Sequence, residues 1–460
     1  MAIGMPVPVS ASDLARLALS GPRYTSYPPA TELGPAVGPA DAHAELARLG
    51  MARTPVSLYA HLPFCRNLCW YCGCNVVATR DRSRGTAYVD TLLSEVAMVA
   101  ASLGIGHRVR ELALGGGSPN FLLADDLRRL VAGVRRWLSI DVDARLSVEL
   151  DPRDTTTEQL DVLAAAGFRA VSVGIQDFAE GVQSAIHRFQ SAEQTGSLIC
   201  AARARGFDDV NADMVYGLPR QTPATFAATL DTVIDLAPDR IALFGYAHLP
   251  GLRPHQYLVE RAGRLPDLEE RAELLVLATE RLGAAGYLPI GLDHFARPGS
   301  PLARAAAAGA LDRTFQGYVV HTADAIIGVG ATAISTTDGL FWQNQGDLPA
   351  WTQALRDGHL PVARGIALDD DDRLRRTVIT RLMCDGAIDL AAVPGRLGGD
   401  LGHHFAAELE ALRDWPELCT VDGTRIAATP LGKVLIRNLC MPFDRYLPER
   451  RRTSAFSTTV

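Results

Sequence analysis

A repeated alternation of strand-like and helix-like segments is the feature that most constrains the fold of this chain. Six β-rich runs, each followed by a stretch with helical periodicity, occur between residues 56 and 282. The runs are 56–62, 111–117, 146–151, 170–176, 210–217 and 241–248. Six strand–helix units in succession predict a parallel sheet with helices packed outside it.

The pattern of the runs leaves open whether this sheet stays flat or curls. Polar and glycine-rich residues, however, follow the C-terminal end of each run, from the cysteines after residue 62 to Tyr246–His248. Barrel folds concentrate their chemistry at that face. We therefore predict an α/β fold built on a partial (β/α)6 TIM-like barrel.

The flanking regions lack this alternation. Residues 1–50 show no helical or strand period and form a predicted N-terminal arm, which contains the proline-bounded string RYTSYPPATEL (Arg23–Leu33). The predicted core domain covers residues 51–299. Residues 300–460 form a predicted C-terminal extension and mainly helical domain, with helices near Asp370–Cys384 and His404–Arg413 and a hairpin within 419–433.

Charge and hydropathy limit the classes of partner. The chain has 45 Lys and Arg against 52 Asp and Glu, a formal net charge of −7, which argues against broad nucleic-acid binding. The N-terminus has no basic region followed by a long apolar run, and no uninterrupted apolar stretch approaches the ~18 residues of a membrane span. We expect a cytoplasmic monomer with neither nucleic-acid nor membrane partners.

Four of the eight cysteines, Cys65, Cys69, Cys72 and Cys74, lie within ten residues. Such clustering in a long cytoplasmic chain indicates metal or redox chemistry rather than disulfides. The spacing C-x3-C-x2-C can hold three corners of a cubane, and since a [4Fe–4S] cluster normally takes four cysteines, three would leave one iron open. A structural zinc site is the alternative, but it usually needs four ligands, and no second ligand cluster occurs in the sequence. The remaining cysteines are predicted to be buried apolar side chains: Cys200, Cys384, Cys419 and Cys440.

A glycine run and a set of polar residues also follow the predicted strands. The run LGGGSPN (Leu114–Asn120) lacks side chains and would let backbone approach a ligand closely. Strand-end carboxylates can bind ribose hydroxyls or ammonium groups, although a single buried polar residue is more often a satisfied structural group. The polar candidates are Glu149, Gln176, Asp177, Arg188 and Asp213.

The cysteine spacing after a first strand resembles the signature of radical S-adenosylmethionine enzymes. Cys74, with YAHLPFC before the loop, is similar to the family of oxygen-independent coproporphyrinogen III oxidases, as are FGYAHLP, GLDHFARP, FQGYVVHTADAIIGVGATAIS and RNLCMPFDRYL. The resemblance implies a [4Fe–4S] cluster held by Cys65, Cys69 and Cys72, with Tyr71 and Cys74 as catalytic residues. Small departures from the family pattern occur at Ser118, Phe189 and Gly245.

The same resemblance implies that two molecules of S-adenosylmethionine bind. The implied contacts of the first are Tyr59, Gly116, Glu149 and Ile334. Those of the second are Tyr71, Gly117, Ser118, Gln176, Arg188, Asp213 and Ala247.

The implied activity is oxidative decarboxylation of two propionates of coproporphyrinogen III to vinyl groups, giving protoporphyrinogen IX. A reduced donor such as flavodoxin or ferredoxin would supply electrons. Arg23, Arg297 and Arg437 are candidate propionate ligands because arginine suits carboxylates, with a surface or helix-end role as the alternative. The competing hypotheses are a haem-binding chaperone on the same core, which would typically lack Cys74, the RYTSYP arm and the long tail, and a radical enzyme of haem breakdown.

Overall fold

The computed structural model describes residues 9–321, 323–393, 400–450 and 456–460. The strands in these ranges are β1 (Val56–Leu62), β2 (Phe64–Cys65), β3 (Val77–Ala78), β4 (Arg108–Gly116), β5 (Ser139–Leu150), β6 (Ala170–Gln176), β7 (Asp209–Tyr216), β8 (Arg240–Gly245), β9 (Leu288–Ile290), β10 (His294–Ala296), β11 (Leu311–Thr314), β12 (Gly317–Val320), β13 (Ile326–Val329), β14 (Ile334–Thr336), β15 (Leu340–Asn344), β16 (Val362–Ala367), β17 (Ala387–Asp389), β18 (Cys419–Asp422) and β19 (Arg425–Ala428).

The α-helices follow the same chain order. They are α1 (Ala11–Leu17), α2 (Pro39–Ala52), α3 (Ser83–Leu103), α4 (Ala124–Trp137), α5 (Thr157–Ala165), α6 (Glu180–Ile186), α7 (Ala192–Arg203), α8 (Pro223–Leu236), α9 (Tyr257–Ala262), α10 (Leu268–Ala284), α11 (Pro301–Ala307), α12 (Leu348–Arg356), α13 (Asp370–Asp385), α14 (Leu401–His404), α15 (Ala406–Arg413), α16 (Pro430–Val434), α17 (Ile436–Cys440) and α18 (Leu447–Arg450).

Six parallel strands form the centre of the molecule. They pair in the order β1-β4-β5-β6-β7-β8, within a sheet that β13 to β16 extend beyond β1 and that β10 and β9 extend beyond β8. Every residue of β1 is buried, as is typical of a strand covered on both faces. The predicted α/β fold with a partial barrel of six strand–helix units is confirmed.

Capping residues and apolar faces explain where the helices begin and how they pack. Thr156 and Gln159 form a capping box at the start of α5, and Asp267 with Glu270 does the same for α10. Leu92 and Val96 of α3 are fully buried within the same hydrophobic core as β1 and β4. The helices therefore cover the outside of the parallel strands and leave the strand ends free for chemistry.

Two parts of the fold differ from the sequence-based expectation. The arm contains helices α1 and α2, where no regular element was predicted. After residue 299, β13 continues the central sheet because Ser57–Ala60 of β1 pair in parallel with Ile326–Val329. The predicted hairpin within 419–433 is present as β18 and β19, and β17 adds a third strand. The domain boundaries at residues 50 and 299 stay predictions.

Helix α3 is long and apolar enough, by length and composition alone, to cross a membrane. In the structure it packs between α2 and α4 in the helical layer. Its Glu95 is buried and accepts hydrogen bonds from the backbone N–H of Gly330 and from the side chains of Asn344 and Trp351. These contacts are those of a core helix in a globular fold.

Candidate active site

The cysteine loop leaves the carboxyl end of β1 and is held by backbone contacts. Cys65 lies in β2, which pairs with β3 on the return of the loop. The segment between β8 and α9, which the sequence analysis did not single out, fixes the other end. There the side chains of Arg253, His255 and Gln256 bond to the carbonyls of Gly73, Cys72 and Tyr71. In the sequence, the basic and amide residues clustered in GLRPHQ are the pattern that could have indicated this segment.

Two guanidinium groups converge on Cys69. The Nη2 of Arg153 and the Nη1 of Arg188 each lie 3.7 Å from its sulfur. Both arginines also pair with Asp151, at 2.6 Å and 3.3 Å. The sulfur of Cys69 therefore lies beside two positively charged groups that one carboxylate holds in place. Arg153 was not predicted from the sequence.

The other thiols of the loop have different surroundings. Burial raises the pKa of Cys65 to about 12, and its sulfur lies 3.6 Å from the hydroxyl of Ser118. A hydrogen bond from Cys74 lowers the pKa of Cys72 to about 7, and the same bond raises the pKa of Cys74. Cys74 is exposed.

The donor set fits a cubane better than a single ion. In the described part of the chain, no three His, Cys, Asp or Glu side chains are grouped closely enough to hold one metal ion. A cubane needs no such convergence, because each thiolate binds a different iron. Cys65, Cys69 and Cys72 lie on one loop and are close enough to influence one another electrostatically.

The four cysteines outside the loop were predicted to be buried. Cys419 and Cys440 are buried, whereas Cys384 is only partly buried and Cys200 is exposed.

The glycine run packs directly under the cysteine loop. A Cβ at Gly117 would lie 2.7 Å from the carbonyl oxygen of Phe64, and one at Gly116 would lie 2.5 Å from the ring of His61. The backbone N–H groups of Gly117 and Ser118 donate to Leu62 and Phe64. Side chains are therefore excluded here by close packing between β4 and the start of the loop.

The first predicted contact set spreads over neighbouring strands. The Glu149 carboxylate accepts a hydrogen bond of 3.0 Å from the N–H of Gly116, and burial raises its pKa to about 7. Tyr59 is buried on β1, with its hydroxyl 3.2 Å from His61 Nδ1. Ile334 begins β14, two strands away from β1. Across the sheet, the four residues therefore follow one another from Ile334 on β14, through Tyr59 on β1 and Gly116 on β4, to Glu149 on β5.

The second set continues along the sheet. Gln176 has a left-handed φ of 68° at the end of β6, and Arg188 bonds to the Gly174 carbonyl at 2.6 Å. Asp213 on β7 accepts hydrogen bonds from Ser172 and Asn211. The carbonyls of Ala247 and Tyr71 both accept from Gln256. Asp177, by contrast, bonds to Gln221, Thr229 and the Ala179 N–H, as a structural residue would.

The three candidate propionate ligands differ in their position and contacts. Arg297 follows Ala296, which pairs with the first residue of β8, so Arg297 lies at the opposite end of the barrel from the cysteines. Arg437 is buried and bonds to the carbonyls of Gly21, Pro22, Ser457 and Thr458. Arg297 is thus remote from the cysteine loop and Arg437 bonds to backbone carbonyls near both chain ends, and their assignment as propionate ligands stays a prediction. Arg23 reaches the carbonyl of Gly245 at the end of β8 and remains a candidate.

Comparison with known proteins agrees with this architecture. The model of the Radical SAM superfamily matches residues 59–233, and that of the HemN C-terminal domain matches residues 368–435. The oxygen-independent coproporphyrinogen III oxidase of Pseudomonas aeruginosa is 40% identical over 452 residues, covering 95% of this chain and 96% of that protein. That of Escherichia coli is 39% identical over 443 residues, covering 96% of each. The chain belongs to the family of oxygen-independent coproporphyrinogen III oxidases.

The solved structure of an oxygen-independent coproporphyrinogen III oxidase extends the agreement to three dimensions. Coproporphyrinogen III oxidase (HemN) from Escherichia coli, described as a radical SAM enzyme, superposes with a TM-score of 0.88 at 38% identity, covering 92% of this chain and 97% of that one. Membership of the family confirms the predicted enzyme class, a radical S-adenosylmethionine oxidoreductase that uses a [4Fe–4S] cluster and S-adenosylmethionine.

Proposed function

We propose that this chain decarboxylates two propionate side chains of coproporphyrinogen III to vinyl groups, giving protoporphyrinogen IX. The observation that carries the proposal is the match of 92% of this chain to the solved structure of a coproporphyrinogen III oxidase and of 95% of it to the protein of Pseudomonas aeruginosa. The chaperone alternative is disfavoured because Cys74, the RYTSYP arm and the long tail are all present.

Cys65, Cys69 and Cys72 are the proposed cluster ligands. When bound, the cluster and S-adenosylmethionine supply the one-electron chemistry that removes a hydrogen atom from the propionate side chain. The side chain then loses carbon dioxide and one further electron, which passes to an external acceptor. Arg153 and Arg188 place two positive charges beside the sulfur of Cys69, and Asp151 holds both guanidinium groups in place.

The remaining site residues bind and orient two molecules of S-adenosylmethionine. In this proposal Tyr59, Gly116, Glu149 and Ile334 contact the first. The second contacts Tyr71, Gly117, Ser118, Gln176, Arg188, Asp213 and Ala247. The hydrogen bond from Gly116 to Glu149 supports the first set, because it fixes the carboxylate at a strand end. The position of Arg188 beside both Gly174 and Asp151 supports the second. Tyr71 and Cys74 act on the substrate or cofactor as the proposed catalytic residues.

The proposed setting is a cytoplasmic monomer reduced by a donor such as flavodoxin or ferredoxin. The open end of the barrel, where the cysteine loop lies, is the surface that such a donor must approach, since electron transfer needs proximity to the cluster.

An anaerobic assay tests the proposed function. Reconstituted protein is incubated with coproporphyrinogen III, S-adenosylmethionine and a reductant, and the products are separated by mass. Release of carbon dioxide with two new vinyl groups supports the proposal. Tight haem binding without vinyl products would indicate the chaperone, and consumption of haem would indicate haem breakdown.

A further inference from the structure

A cavity lies at the carboxyl ends of β7 and β8, away from the cysteine loop. Its lining includes Tyr216 and Gly245 from the strand ends and residues Thr458–Val460 from the far end of the chain. Among the described side chains that line it, four are guanidinium groups and one is a carboxylate: Arg23, Arg271, Arg313, Arg437 and Asp293.

The positive charge in this cavity is only partly balanced. Asp293 pairs with Arg313 at 2.9 Å and with His294 at 2.7 Å, so its carboxylate is already committed. Arg23 bonds to a backbone carbonyl, and burial lowers its pKa. Arg271 bonds to the carbonyl of Tyr246, while its Nε is buried without a hydrogen-bond partner among the described residues. Holding cations in a buried site without anions is costly, and arginine is suited to bind a carboxylate through two N–H groups.

The end of the chain fills the cavity. The carbonyl oxygen of Val460 accepts a hydrogen bond of 2.8 Å from Arg271 Nη2 and another from the Thr458 hydroxyl. The space left is about 30 Å³, and Arg271 Nη2 already donates to Val460. A carboxylate can therefore reach Arg271 only after the chain end has moved away.

The chain end, Phe456–Val460, is held by hydrogen bonds to the arm and by Val460, which is buried in the apolar core. Gly21 and Leu19 exchange backbone hydrogen bonds with Ser457 and Thr459. Arg437 joins the two segments by bonding to carbonyls of both. The net contribution of such hydrogen bonds is small because water competes for the same groups, so a charged ligand with several contacts can displace the segment.

We propose that this arginine-lined cavity binds a propionate carboxylate of the substrate, and that Phe456–Val460 is a competing occupant that leaves when the substrate enters. The proposal rests on the proposed function, since it takes the tetracarboxylate as substrate. Arg271 and Arg23 bind the carboxylate. Arg437 is a positioning residue that ties the chain end to the arm.

Equilibrium binding of coproporphyrin III, the oxidised and unreactive relative of the substrate, tests the proposal without turnover. The full chain is compared with a variant that lacks residues 456–460, and binding is followed by porphyrin fluorescence. Removing the competitor should lower the Kd at least fivefold. The peptide Phe-Ser-Thr-Thr-Val, added to the shortened protein, should raise the Kd again. An unchanged or higher Kd after truncation would overturn the proposal.

Arginine variants in the shortened protein locate the ligand. Arg271→Gln should raise the Kd for coproporphyrin III at least tenfold. Arg281→Gln, at a partly buried arginine near the other end of α10 that pairs with Asp231, should leave it unchanged. The Kd for S-adenosylmethionine should be the same in all variants. If Arg271→Gln weakens S-adenosylmethionine binding and leaves porphyrin binding intact, the cavity serves the cofactor and the proposal fails. Absence of vinyl products from the full chain would instead contradict the proposed function, while these binding results would stand separately.

Discussion

Cys69 is the proposed cluster ligand with the most distinctive surroundings, because two arginines lie 3.7 Å from its sulfur. We predict about four irons per chain after anaerobic reconstitution. Cys69→Ser should lose most of the iron, the cluster absorption and the activity, since a serine hydroxyl is a poor substitute for a thiolate. Iron analysis and absorption spectra measure this. Cys200→Ser, at an exposed cysteine on α7, is the control and should keep full iron. Full iron in Cys69→Ser would refute the ligand assignment.

Cys74 is the fourth cysteine of the loop, and its thiol bonds to Cys72. It is exposed and follows the ligand set in sequence, so we assign it a role toward substrate or cofactor. Cys74→Ser should retain the iron content and cluster spectrum but lose turnover. A hydroxyl preserves the hydrogen bond to Cys72, so the loop should keep its conformation. If the iron content instead falls as it does in Cys69→Ser, Cys74 is itself a ligand.

At the scale of elements, Glu95 links α3 to the turn between β13 and β14. Its carboxylate receives N–H groups from Gly330, Asn344 and Trp351, and Tyr88 on the same helix bonds to the Ala331 N–H. Glu95→Ala would leave three buried donors unsatisfied and should lower the free energy of unfolding by about 3 kcal/mol. Urea unfolding of the reconstituted protein measures this. Ser94→Ala, at an exposed position of α3, is the control and should cost far less.

The pKa of Glu95 predicts how the free energy of unfolding depends on pH. Burial raises the pKa of Glu95 from 4.5 to about 7 in the folded protein. Between these values the folded state binds more protons than the unfolded state, so this residue lowers stability as pH rises through that window. Glu95→Gln cannot titrate. The free energy of unfolding of the unsubstituted protein, minus that of Glu95→Gln, should therefore decrease from about pH 5 to about pH 7.5. A difference that stays constant or grows would contradict the raised pKa.

At the scale of the whole molecule, the sequence predicted most of what long periodic segments determine. The runs at 56–62 and 170–176 coincide with β1 and β6, because fully buried strands followed by helices have a strong pattern. Strand β13 was missed, since it has only four residues and joins the central sheet by pairing with β1, which is distant in sequence. The contacts of Arg153 and Arg437 could not be predicted for the same reason. Nothing local distinguishes a guanidinium beside Cys69 from one that binds carbonyls of both chain ends.

The arm spans the molecule from α10 to the C-terminal helices, and this position gives the last prediction. Arg23 reaches the end of β8, and the buried Tyr24 bonds to Asp444 at 3.1 Å. A segment across the open end of a barrel can shield reactive intermediates from water. We hypothesise that the arm closes over bound porphyrinogen. Deleting residues 1–34 should leave iron content and S-adenosylmethionine binding intact, while decarboxylation falls sharply and uncoupled formation of 5′-deoxyadenosine persists or rises.

Loss of stability must be separated from loss of shielding in this experiment, because the deletion also removes the buried side chains of Leu14, Tyr24 and Tyr27. Tyr24→Phe is the matched control. It removes only the hydrogen bond to Asp444, at a cost of about 1 kcal/mol, and keeps the arm in place. We expect this variant to be slightly less stable but to form one 5′-deoxyadenosine per vinyl group, as the full chain does. The ratio of 5′-deoxyadenosine to vinyl groups in each variant separates loss of shielding from loss of stability, because destabilisation alone lowers both products together. If the shortened protein converts coproporphyrinogen III at the full rate and with the same ratio, the arm packs passively and is not a lid.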